Sequence, residues 1–113
     1  MSSGRRESAL TYVAEREDEI LEFTKTLIRT PSPNPPGDET AVADVVVERL
    51  RELGIDDIQV VGSEDHRPNI IARIPGTDDG PTLMLSGHLD TKPAGDMDAW
   101  ETDPWDPVEL DGQ

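Results

Sequence analysis

His88 and Asp90 stand two residues apart, directly after the apolar run Thr82-Leu83-Met84-Leu85 and the step Ser86-Gly87. Side chains at i and i+2 of an extended segment point to the same side, so an imidazole and a carboxylate face one crevice here. In open α/β sheets, functional side chains gather just beyond the carboxyl ends of the strands. Imidazole suits zinc, and a metal-bound His gives its other ring nitrogen to a carboxylate or carbonyl, which fixes the tautomer. His88 is therefore the candidate metal ligand, and Asp90 the candidate catalytic residue that orients it. On a regular strand the two would diverge too far for easy contact, so the pairing also needs a bend after Gly87, which glycine makes cheap. Spacing by itself leaves a packed or surface histidine open as the alternative.

The other chemistry is thinner. Ser86, His88 and Asp90 alternate onto one face, yet Gly-x-Ser-x-Gly is missing and i, i+2 neighbours cannot form the bonded relay of a serine triad. His66 lies in a polar turn between Asp65 and Arg67 and reads as an exposed loop histidine. A catalytic zinc takes three protein ligands and a water, whereas the chain has no Cys and two His. With 25 Asp and Glu, no further carboxylate stands out as a ligand.

Around this stretch the pattern predicts an α/β fold, part of a mixed β-sheet flanked by helices, with residues 1–6 disordered. A first helix is expected over 8–29, where Leu10, Val13, Ile20, Leu21, Thr24, Leu27 and Ile28 form an apolar stripe. Four prolines in residues 30–37 then impose a stiff, extended loop. Asp38 suits the N-cap of a second helix with Glu39 near its positive end. Its buried face would be Val42, Val45, Val46, Leu50 and Leu53, Arg49 would face solvent, and Gly54 would end it in a left-handed turn. Residues 58–61 and 69–74 read as an antiparallel hairpin, the second strand covered on both faces. A third strand is expected to end at His88. Beyond Ala94 periodicity is lost, and Trp100 and Trp105 are expected to bury large apolar area and fasten the loop to the body.

Three stretches together resemble the peptidase M20 family, the zinc hydrolases that include acetylornithine deacetylase and succinyl-diaminopimelate desuccinylase. The apolar run into Gly87, His88, Asp90 and Pro93 is similar to the family's first metal-binding motif. Residues 29–39, with Pro31, Ser32, Asn34, Pro35, Pro36 and Gly37, are similar to its Pro-Ser-x-Asn-Pro-Pro-Gly segment. Trp100, Asp103 and Pro104, with Asp111 and Gly112, are similar to its Trp-x-x-Asp-Pro-Phe and Asp-Gly run. Lys92 and Trp105 depart from the pattern without touching a ligand. The resemblance implies a zinc-exopeptidase-like catalytic domain of which 1–113 is an incomplete, amino-terminal part. It implies two zinc ions, with Co2+ or Mn2+ as substitutes, hydrolysing an amide or peptide bond in a small N-acyl amino acid or peptide. His88 would be one metal ligand and Asp90 its orienting partner, while the bridging aspartate and general-base glutamate would lie beyond residue 113. A homodimer of the full-length protein is compatible with it.

Composition limits the alternatives. The formal charge of -15 repels nucleic acid and anionic membranes alike, so neither is expected as a partner. Absence of Cys, of an apolar segment after Arg5-Arg6 and of any membrane-length apolar run fits a cytoplasmic protein. A non-catalytic acidic α/β module used for protein contact is the second reading, but it gives Gly87-His88-Leu89-Asp90 no purpose. Lys25 and Lys92 are the sole lysines, and an acidic, Lys-poor surface suits a halophilic protein in which salt screens self-repulsion. Melting of the full-length protein is therefore expected at lower temperature in millimolar than in molar salt; equal melting temperatures would contradict it.

Overall fold

The computed structural model describes residues 3–113. Helices α1 (Ser3–Ala14), α2 (Glu17–Ile28) and α3 (Thr40–Glu52) precede strands β1 (Ile58–Val61) and β2 (Asn69–Ala72), and a short 3-10 turn covers Met97–Ala99. The fold is α/β, as its pattern predicts. β1 and β2 form the expected antiparallel hairpin, with Ile58 opposite Ala72 and Val61 opposite Asn69, but β2 ends at Ala72 and is not covered on both faces, Ile71 and Ile74 being exposed.

The first helix is two helices, and α1 begins at Ser3, so residues 3–6 of the stretch expected to be disordered are helical, while residues 1 and 2 lie outside the described residues. The break at Glu15-Arg16 has a local cause. Arg16 leaves helical geometry at φ -121 and ψ 19, its guanidinium lies 3.5 Å over the Tyr12 ring, and it donates to the Tyr12 carbonyl. Glu17, Asp18 and Glu19 then occupy the first turn of α2, where negative charge meets the positive end of the helix dipole.

Helix α3 carries the small core. Val42, Ala43 and Val47 are buried, so its inner face lies one step round from the expected one, and Leu53 is exposed. Arg49, expected to face solvent, instead bridges to α2, with Nη2 3.2 Å from Glu19 and its guanidinium over Phe23. Gly54, at φ +80, ends the helix as expected. At the other end Asp38 accepts the Thr40 N–H, which holds its carboxyl below the usual range, while the boundary residue Glu39 turns inward and is buried.

Two expectations fail for one reason. Residues 82–85 form no strand, and Leu83, Met84 and Leu85 are each more than 80% exposed. Trp100 is half exposed and is held by an Nε1–H bond to the Ala94 carbonyl, so of the two tryptophans only Trp105 is mostly covered as expected. A strand exists through its neighbours and a wholly apolar one needs cover on both faces, but β1 and β2 pair with each other. The chain exposes 9406 Å², where a folded monomer of 12.4 kDa would expose about 6,100 Å². Its radius of gyration is 17.2 Å against about 13 Å for a compact domain of this length. The described residues do not close a core around these apolar groups. The loop after Ala94 is fastened to α2 by charge instead, through Arg29 to Asp106 at 3.1 Å and Lys25 to Glu109 at 2.7 Å. The Glu109 bond raises the Lys25 pKa.

Candidate functional site

The segment carrying His88 and Asp90 is held by the proline-rich loop. Proline removes backbone donors, so the few that remain decide where the loop can dock. Asn34 N–H donates to the Thr91 carbonyl at 2.9 Å, and Thr91 N–H donates back to the Ser32 carbonyl at 3.0 Å. Ser32, fully buried, donates through Oγ to the Leu89 carbonyl at 2.8 Å. Pro33 and Thr91 thus form a parallel bridge. The loop lies at the edge of the candidate site.

His88 and Asp90 meet as expected. His88 Nδ1 lies 3.0 Å from Asp90 Oδ1 and 2.6 Å from the Asp90 carbonyl oxygen. Both neighbours are acceptors, so the proton of a neutral ring belongs on Nδ1 and the lone pair on Nε2. The ring is 82% exposed, and Nε2 is open to a further partner. No strand delivers this pair; the chain at Gly87 through Leu89 is irregular, and it is the local bend that lets i and i+2 touch.

The second carboxylate oxygen is occupied separately. Asn34 Nδ2 donates to Asp90 Oδ2 at 2.9 Å, and Arg67 Nη2 lies 3.7 Å from the same oxygen. The Asn34 bond is the main cause holding the Asp90 carboxyl below its ordinary pKa, with His88 adding to it. Arg67 is itself anchored by buried Glu39, Nη2 to Oε1 at 3.1 Å, and the Glu39 N–H bonds the His66 carbonyl. Neither Asn34 nor Arg67 was marked as a site residue by the sequence, because both reach Asp90 only through tertiary contacts. The signal present was limited to Asn34 within its motif. His66 stays in its turn, half exposed and 3.2 Å from Glu64.

Gly37 makes this packing tolerable. It is buried at φ +83, and a Cβ there would lie 3.2 Å from Asn34 Oδ1 and 3.5 Å from the Arg67 guanidinium carbon. A left-handed non-glycine residue costs about 1–2 kcal/mol. Gly37→Ala should therefore lower the stability of the full-length protein by about that amount in denaturant titration. Gly80→Ala, with open space around it and no positive φ, should be close to neutral. Equal effects would contradict the packing.

Among the described residues no group of three or more His, Cys, Asp or Glu could hold a metal ion. The residues present fit one corner of a metal centre: an imidazole whose Nδ1 is held by Asp90 and whose second nitrogen is turned outward. Among the same residues no helix is long and apolar enough to cross a membrane.

No family model matches the chain, and no solved structure matches it. Similar curated proteins are found. N-formyl-4-amino-5-aminomethyl-2-methylpyrimidine deformylase of Bacillus subtilis is 32% identical over 105 residues, covering 88% of this chain and 24% of the relative. Succinyl-diaminopimelate desuccinylase of Ralstonia pickettii is 33% identical over 97 residues, covering 82% and 25%. The desuccinylase of Ralstonia nicotianae is 34% identical over the same length, with the same coverage. These matches run over most of this chain, which spans about a quarter of the length of the curated relatives it matches.

Proposed function

We propose that this chain is part of a metal-dependent hydrolase that cleaves an amide or peptide bond, and that His88 supplies one metal ligand through Nε2. The observation that carries the reading is the division of labour on the imidazole. Two oxygens of Asp90 take Nδ1, which leaves the metal-binding nitrogen unprotonated and exposed. The relatives are named as a deformylase and desuccinylases, and both are hydrolases of amide bonds, so the substrate class is a small N-acyl amine, N-acyl amino acid or peptide.

In this reading Asp90 keeps the proton on Nδ1 and raises the basicity of the ring, as carboxylates behind metal-bound histidines do. The Ser32, Asn34 and Thr91 bonds fix the backbone on which both side chains stand. When bound, a zinc pair lowers the pKa of a water and polarises the scissile carbonyl. The remaining ligands and the general base are not among the residues described. Zinc titration of the full-length protein, followed by an amine-release assay on a panel of N-acyl amino acids and dipeptides, tests the proposal. Stoichiometric uptake with zinc-dependent release is expected. Absence of uptake would overturn it and favour the protein-contact module.

A further inference from the structure

The structure assigns to Asn34 and Arg67 a positioning role: together they clamp the Asp90 carboxylate from behind so that its other oxygen holds the His88 ring in a single tautomer. The inference rests on the metal-ligand reading of His88 for its consequence, but the clamp itself is a matter of geometry.

A carboxylate two residues from an imidazole, on a chain with no strand pairing, has several rotamers open to it. Something must select one. Asp90 Oδ2 is taken by Asn34 Nδ2 at 2.9 Å and faces Arg67 Nη2 at 3.7 Å, which points Oδ1 at His88 Nδ1, 3.0 Å away, beside the Asp90 carbonyl oxygen at 2.6 Å on the same nitrogen. Each clamp is in turn fixed by a group that cannot easily move. Asn34 sits on a loop whose backbone is bonded to Thr91 on the same segment as Asp90. Its side-chain oxygen also lies 3.2 Å from where a Cβ at Gly37 would be. Arg67 lies in an exposed turn, and a long side chain there would ordinarily sample many rotamers. It is held because Glu39, 4% exposed, points its carboxylate inward at 3.1 Å with its second oxygen buried and unpartnered. A buried carboxylate with one counter-ion holds that counter-ion firmly, since losing it would leave the charge unpaired. The chain Glu39–Arg67–Asp90–His88 therefore runs from the core beside α3 to the exposed ring. It joins the proline-rich loop, the β1–β2 turn and the His88 segment, three stretches distant in sequence.

The test uses the full-length protein and Asn34→Leu, which keeps bulk and removes the N–H donors, with Arg67→Lys as a second variant that keeps the charge beside Glu39 and so protects the fold. Two quantities are read: zinc affinity by competition with a chelating dye, and the His88 tautomer of the metal-free protein from imidazole 15N shifts. The shifts are recorded at about pH 8, where an ordinary imidazole is neutral, and assigned by their loss in His88→Gln. Parent protein should show His88 protonated on Nδ1. Asn34→Leu should shift the ring towards the Nε2–H form and weaken zinc binding by about tenfold, with Arg67→Lys shifting it in the same direction by less. A merely structural role for Asn34 would not alter a tautomer in a protein whose circular dichroism is unchanged. An unaltered tautomer and zinc affinity within twofold of parent in Asn34→Leu would overturn the clamp. Zinc binding undiminished in His88→Gln would instead overturn the metal-ligand reading, and the tautomer would still decide the clamp.

Discussion

His88→Ala in the full-length protein is expected to abolish hydrolysis while leaving the fold intact. The two halves of that expectation have separate causes. Catalytic zinc sites hold three protein ligands, and metal assistance lowers the barrier by several kcal/mol. At about 1.4 kcal/mol per factor of ten, loss of one ligand should lower turnover by about a thousandfold or more. Stability should barely change, because the ring is 82% exposed and packs in no core, and surface substitutions usually stay within about 0.5 kcal/mol. Turnover and thermal melting measured on one preparation separate these effects. Near-normal turnover with zinc supplied would refute the assignment.

Asp90→Asn should cost about 10- to 100-fold in zinc affinity or turnover, the range found when the carboxylate behind a metal-bound histidine is removed. The substitution keeps the shape but loses the charge that favours a proton on Nδ1, and an amide nitrogen in the place of Oδ2 would face the Asn34 donor. The sign of the pH dependence follows from the same bonds. The Asp90 pKa is lowered, first by Asn34 and then by His88, so the carboxylate stays ionised throughout the range in which an imidazole titrates. Its stabilising contribution is complete above the ordinary carboxylate value and is lost only as pH falls through the lowered one. The deficit of Asp90→Asn should thus be constant above about pH 8, where an ordinary imidazole is neutral and the carboxylate fully ionised. A deficit that kept changing with pH in that range would place the effect elsewhere.

What could be read from the sequence was what local rules decide. Gly54 ends α3 because its φ of +80 suits glycine, and residues 58–61 pair with 69–72 because a short polar turn joins two apolar runs. Three acids in a row, Glu17, Asp18 and Glu19, mark a helix start, and that is where α2 begins. The run 82–85 has strand composition and forms no strand, since composition supplies the propensity and neighbouring chains supply the ladder. His88 and Asp90 were legible through residue type and spacing. Arg67 was not: its role depends on Glu39 being buried 28 positions away and on Asp90 reaching the same guanidinium, and nothing periodic in the sequence encodes either contact.

The central claim is that Nε2 of His88 binds metal while Nδ1 is held by Asp90. Anomalous diffraction from crystals of the zinc-loaded, full-length protein addresses it directly. The account predicts a zinc peak about 2.0–2.1 Å from His88 Nε2, with Asp90 still on Nδ1. Zinc at full occupancy in a site that excludes His88 would contradict it.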